Sequence, residues 1–178
     1  MSNSQYKNYL SLARINAFHF EKFRRQSVMA DIFRGHSVFR GESKVDVDSA
    51  LKNKIVGIYF SASWCPPCRQ FTLRLKEIYE ELEGDEFEVV FLPFDHSKED
   101  AMTYYKCNQG NWLYMEYGES LIDDLRKKFD VAGIPKLIIL NKKSEVITKN
   151  GREDLQEHEA AVLKKWKENK EMKQIKGK

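Results

Sequence analysis

An apolar run, Ile55-Val56-Gly57-Ile58-Tyr59-Phe60, is followed closely by Trp64-Cys65-Pro66-Pro67-Cys68 and then by a stretch of helical periodicity. The run is strand-sized, so the chain has to turn from a buried strand into a helix at a Cys-x-x-Cys pair. Such a corner exposes one thiol and aims a helix N-terminus at it. Pro66 and Pro67 fall in the first helical turn, where backbone amides have no carbonyl partner and proline is accepted. Phe71, Leu75, Ile78, Tyr79 and Leu82 then recur at helical spacing and Gly84 ends the run, which predicts an amphipathic helix over about 66–82.

Other elements are read in the same way. Ser37-Val38-Phe39 fits an edge strand, 47–53 a short helix carrying Leu51, and 88–94 a second buried strand. Ser97 with Asp100 resembles a capping box opening a helix through about Lys106, and Ser120 with Asp123 repeats that signal before Leu121, Leu125 and Phe129. Between them, 109–118 reads as an irregular aromatic connection. Residues 137–140 and 145–148 flank a polar turn as a hairpin, and a last helix is expected over about 153–170, docked by Leu155, Val162, Leu163 and Trp166. A βαβ unit followed by a ββα unit predicts an α/β fold with a central mixed β-sheet flanked by helices on both faces. The expected boundaries are an N-terminal appendage over 1–29, flexible or partly helical around 10–23, one domain over 30–168, and a Lys-rich tail over 169–178.

At 178 residues and 42% hydrophobic composition the chain can bury one core. Its longest apolar runs are strand-sized, so no membrane is expected as a partner. Three cysteines, two in one pair, do not make the framework of a small secreted protein, which favours a reducing compartment, cytoplasmic and in second place nuclear. The first residues lack the apolar stretch of a secretory signal, and Glu21 weakens a mitochondrial presequence reading. A net charge of +3 gives no global field for nucleic acid. The seven lysines of 164–178 read as a solvated helix end, where cations suit the helix dipole.

Cys65 and Cys68 are one helical turn apart and can close a small disulfide. Cys65, ahead of the helix, is expected to face solvent and act as the thiolate nucleophile. Cys68, one turn in, should be more buried and resolve the mixed disulfide. The two prolines remove amide donors from the Cys65 sulfur, leaving the dipole and the Cys68 N–H. Its pKa should therefore be lowered less than in the most oxidising dithiols, which suits a reductant. A structural zinc site wants four ligands, and one pair plus distant Cys107, His96 and His158 does not supply them, so no metal is expected. The candidate substrate-contacting residues are Trp64, Pro66 and Pro67 beside the dithiol, with Ile134 and Pro135, whose X-Pro bond opens a strand and is a candidate cis bond. Asp95-His96 reads as a solvated pair, Tyr59 as core with its hydroxyl toward Cys68, Arg69 as helix-surface charge, Arg152 as an exposed turn arginine, and Cys107 as a lone thiol.

Those residues resemble the thioredoxin superfamily, and within it the tryparedoxin and nucleoredoxin group, including nucleoredoxin-like proteins. The likeness runs through Tyr59-Phe60-Ser61-Ala62-Ser63-Trp64-Cys65-Pro66-Pro67-Cys68-Arg69, Phe71-Thr72, Phe87-Glu88-Val89-Val90-Phe91, Asn111-Trp112-Leu113 and Phe129-Asp130-Val131 to Ile134-Pro135. It implies a thioredoxin-like fold, Cys65 as nucleophile, Cys68 as resolving thiol and Pro135 as a cis-proline. Tyr59 stands where the broader pattern has a buried acid. Phe94-Asp95-His96 departs from the group's Trp-Asp-Glu, and Met29-Ala30-Asp31 fits an alternative start. The implied activity is a protein-disulfide reductase acting on protein disulfide substrates without a cofactor and restored by an external reductant, either thioredoxin reductase or a glutathione-type system. A redox-gated binding module with little turnover is the alternative.

Overall fold

The computed structural model describes residues 31–82 and 86–175, with side chains through residue 168. The expectations for residues 1–29, for Gly84 as a helix stop and for the lysine tail's side chains lie outside the described residues.

Among the described residues seven strands form one sheet. Two of them, β3 (Ile55–Ser61) and β4 (Phe87–Pro93), lie side by side at its centre and are parallel, with Ile58 opposite Val90. On the other side of β3 runs antiparallel β6 (Lys136–Leu140), followed by β7 (Val146–Thr148). β5 (Leu113–Met115) pairs parallel to β4 and antiparallel to β1 (Val38–Arg40), and β2 (Ser43–Lys44) forms the outer edge. Both faces of β3 are covered, which is why its sequence is apolar without alternation.

One face packs Tyr59, Val89, Phe91, Leu137 and Ile139 against α2 (Pro66–Glu81), α3 (Lys98–Asn108), α5 (Gly151–His158) and α6 (Val162–Ile175). The other packs Ile58, Phe60, Val90, Leu92 and Ile138 against Phe33, Leu51 beside α1 (Val47–Ala50), and Ile122, Leu125 and Phe129 of α4 (Ser120–Phe129). The expected mixed sheet with helices on both faces is the architecture observed.

Three local readings are corrected. The 109–118 connection contains β5, an interior strand; Tyr114, with Trp112 just before the strand, serves one face and Leu113 and Met115 the other. Three residues are too few for a period to show. Gly110 lies under the Trp112 ring, where a Cβ would sit 2.5 Å from ring atoms, so the close approach at this bend needs glycine. The Ser120 cap is displaced by one residue: Glu119 is the N-cap, without a side-chain bond, whereas Ser97 does cap α3 by accepting the Asp100 N–H at 3.0 Å. Finally, the last helix is broken by a 3-10 turn over Glu159–Ala161, entered through Glu159 at φ 49°. Arg74 of α2 reaches Glu159, and the break lets Leu155 and Trp166 both dock on one core face.

Across that break Asp154 accepts from Lys165 Nζ at 2.9 Å and from the Trp166 indole N–H at 3.0 Å. Burial raises the Asp154 carboxyl, but Trp166, Lys165 and Thr148 together hold it below its ordinary value of 3.8. A folded pKa below the unfolded one gives stability that is present above the unfolded value and lost as pH falls through the folded one. Acid unfolding followed by circular dichroism is therefore expected to steepen below about pH 4, and Asp154→Asn to remove that component. An acid limb unchanged by Asp154→Asn would mean that the clasp contributes nothing.

Candidate active site

The C-terminal ends of β3 and β4 meet where Ser61 accepts the Phe94 N–H at 2.8 Å. Four residues beyond Ser61, Cys65 is the N-cap of α2 in extended backbone conformation. It is joined to Cys68 as a disulfide, with Cα atoms 5.2 Å apart. Pro66 and Pro67 fill the first two helical positions, so the first amide available is that of Cys68, which donates to Cys65 Sγ at 3.3 Å.

Cys65 does not face solvent in this closed state. It is 3% exposed, packed with Ala62 and Cys68 against Phe94 and Ile134, and its sulfur lies 3.8 Å from the Ile134 carbonyl oxygen. In this closed state the sulfur lies beside the segment that carries Pro135. The Ile134–Pro135 bond is cis, Ile134 is half-buried and Pro135 is buried. Pro66 and Pro67 are exposed beside the pair.

Trp64 is half exposed, donates its indole N–H to the Phe94 carbonyl at 2.9 Å, and stacks on His96 with ring centroids 5.2 Å apart. Tyr117 donates to the His96 carbonyl at 3.0 Å and is also exposed, so Trp64, His96 and Tyr117 form an aromatic ridge beside the disulfide. Arg69 is on the surface and holds the Ser63 carbonyl at 2.6 Å. Asp95 and His96 are not a solvated pair: Asp95 is buried and accepts the Ser63 N–H at 2.8 Å, while His96 is exposed. Arg152 is half-buried in α5, with its Nε buried and unpartnered, rather than on an exposed turn. Cys107 is a free, exposed thiol on α3.

Beneath the disulfide lies a chain of hydroxyls that the sequence did not assemble. Tyr59 meets Thr72 Oγ1 at 2.7 Å, Thr72 meets the Tyr104 hydroxyl at 2.5 Å, and Tyr104 meets Ser61 Oγ at 3.2 Å. Thr72 donates to the Cys68 carbonyl at 2.9 Å, and the Tyr59 hydroxyl lies 3.4 Å from the same oxygen. The visible signal was Thr72, a polar residue on the apolar face of α2. Burial first, and neighbouring Tyr104 second, push the Tyr59 hydroxyl above the ordinary tyrosine range, so it stays protonated and serves as a neutral hydrogen-bonding group. The arrangement is a dithiol corner with one amide donor at the outer sulfur and a neutral, hydroxyl-lined floor. Among the described residues no cluster of His, Cys, Asp or Glu is placed to hold a metal, and no helix is long and apolar enough to cross a membrane.

The sequence profile described as Thioredoxin-like matches residues 53–146. Nucleoredoxin of Xenopus laevis is 41% identical over 118 residues, 65% of this chain and 28% of that protein. The chain thus spans less than a third of the length of this curated relative. Among solved structures, thioredoxin from Wuchereria bancrofti is 44% identical, with a TM-score of 0.67, covering 75% of this chain and 95% of that one. Tryparedoxin from Trypanosoma brucei is 33% identical, with a TM-score of 0.71, covering 78% of this chain and 97% of that one.

Proposed function

This chain belongs to the thioredoxin-like family, in its nucleoredoxin and tryparedoxin group, and from that premise we propose that it reduces protein disulfides through Cys65 and Cys68. The observation that carries the reading is the disulfide closed across the first turn of α2, with Cys65 at the N-cap and the Cys68 amide on its sulfur. In the reduced form the Cys65 thiolate attacks one sulfur of the substrate disulfide. A mixed disulfide forms, and the other substrate sulfur leaves as a thiolate that takes up a proton. Cys68 loses its proton and attacks Cys65 Sγ, releasing the second substrate thiol and closing the disulfide. Two electrons have passed from the dithiol to the substrate, and an external reductant, thioredoxin reductase or a glutathione-type system, returns them.

Several features support this reading. The helix dipole and the single amide favour the Cys65 thiolate, while the two prolines limit that stabilisation and keep the pair reducing. Trp64, Pro66, Pro67, Ile134 and Pro135 surround the pair and are the surfaces a substrate segment would touch. A reducing compartment, cytoplasmic or nuclear, suits such a donor, and residues 30–168 are the unit we assign to it.

The test is the equilibrium reduction potential of the pair in a dithiothreitol or glutathione buffer. A two-electron value near −270 mV, the thioredoxin range, is expected. A value near −120 mV would overturn the reductase reading, and slow turnover of insulin together with redox-dependent partner affinity would favour a binding module instead.

A further inference from the structure

Three basic side chains stand on separate elements around the disulfide. Arg69 of α2 is held on the Ser63 carbonyl, two residues before Cys65. Arg126 of α4 lies over the Phe94 ring, 5.5 Å from its centroid, and Phe94 packs against the Cys65–Cys68 cluster. Lys136 of β6 follows the cis Pro135 and reaches only the neutral Asn150 side chain, at 3.5 Å. None of the three is ion-paired among the described residues, although surface cations elsewhere are: Lys98 with Glu116, Lys106 with Glu42, and Arg74 with Glu77.

Three nearby carboxylates have partners of their own. Asp95 is buried and accepts the Ser63 N–H, Glu119 is engaged by His36 at 3.0 Å, and Glu116 by Lys98. A cleft of about 320 Å³ opens next to Phe94, floored by Pro93, Phe94 and Ile122 and rimmed by Tyr117 and Arg126. Glu119 and Asp123 line it as well, Glu119 bonded to the His36 ring and Asp123, one turn before Arg126, without a basic partner among the described residues. Phe94 is shared between the cleft and the disulfide cluster, so the cleft adjoins the sulfurs.

We propose that this face takes polypeptide segments whose disulfide cysteine is flanked by acidic residues, with Arg69, Arg126 and Lys136 receiving the carboxylates and the Phe94 cleft the neighbouring side chain. The inference rests on the disulfide-reductase reading and names its substrate class; the electron transfer is unchanged. Charge complementarity selects the acidic segment, because unpaired cations beside a reactive group raise the encounter rate of anions. A polypeptide is chosen over a small anionic disulfide because the cations sit on three elements and the cleft extends the surface beyond them.

The experiment compares kcat/KM for three disulfide-linked peptide dimers that differ only in Asp, Asn or Lys beside the cysteine, using the full chain at low and high salt. The acidic peptide is expected to exceed the basic one by on the order of tenfold at low salt. That ratio should fall toward unity at about 1 M salt, where the Debye length is near 3 Å. Arg126→Gln and Lys136→Gln should each shrink the ratio, and Asp123→Asn should widen it. Equal rates for the three peptides would overturn this proposal and leave the reductase reading standing; no turnover of any of them would overturn both. Glutathione disulfide serves as the small anionic probe. If it loses as much rate as the acidic peptide in Arg126→Gln, the cations serve small thiols and the polypeptide proposal fails.

Discussion

Cys65→Ser is expected to lower insulin reduction by a thousandfold or more, on the order of the loss when a nucleophile that acts as part of a unit is removed. Cys68→Ser should behave differently. Its Cys65 can still attack, so it should capture about one substrate per molecule as a mixed disulfide and then stop, because the partner that resolves the bond is gone. Non-reducing electrophoresis and intact mass spectrometry separate the two outcomes. Trapping by Cys65→Ser instead of Cys68→Ser would exchange the proposed roles. The exchange would go against the N-cap position of Cys65, whose sulfur receives the Cys68 amide. Full multiple turnover by Cys68→Ser would mean that an external thiol, rather than Cys68, resolves the intermediate.

Glu88→Ala is expected to cost about 3 kcal/mol of stability, the lower end for breaking a buried ion pair, and to lower Tm by roughly 6–12 °C for a domain of this size. Glu88 is buried at the start of β4, bonded to Arg40 at 2.6 Å, Lys54 at 3.3 Å and the Tyr79 hydroxyl at 2.9 Å. The lower end applies because Arg40 and Lys54 are about a third exposed and can turn to water when their partner is lost. Since Glu88 sits at the end of β4 opposite Phe94, peptide reduction below the unfolding transition should persist. A loss under about 1 kcal/mol in urea denaturation would place this carboxylate among ordinary surface pairs.

Much of this was legible in the sequence, and the exceptions share physical causes. The extent of β3 was legible to within a residue, because both of its faces are buried and the apolar run ends at Phe60, next to the strand's last residue Ser61. The proline-started helix was legible for the same reason that it forms: proline at the first two positions loses no helical hydrogen bond. β5 was not legible, because an interior strand of three residues carries no period and borrows its stability from β4 and β1. Nor was the helix break at Glu159, since a left-handed glutamate leaves no glycine or proline to mark it. At the site, the cysteines were evident by spacing, whereas the burial of Cys65 depends on Phe94 and Ile134, which only the folded sheet brings to it. Glu88 looked like a strand residue among others because its three partners are distant or on another element.

The helix that carries the dithiol is pinned along its length. Thr72 ties its second turn to Tyr59 and Tyr104, Arg74 ties its middle to Glu159, and Tyr79 ties its far end to Glu88. Opening the Cys65–Cys68 bond is therefore expected to loosen the first turn of a strut that stays fixed beyond it. The oxidation state is a message written in a small area and not broadcast through the fold. A partner that reads it has to touch the corner itself, where Trp64, Pro66, Pro67 and Ile134 border the pair.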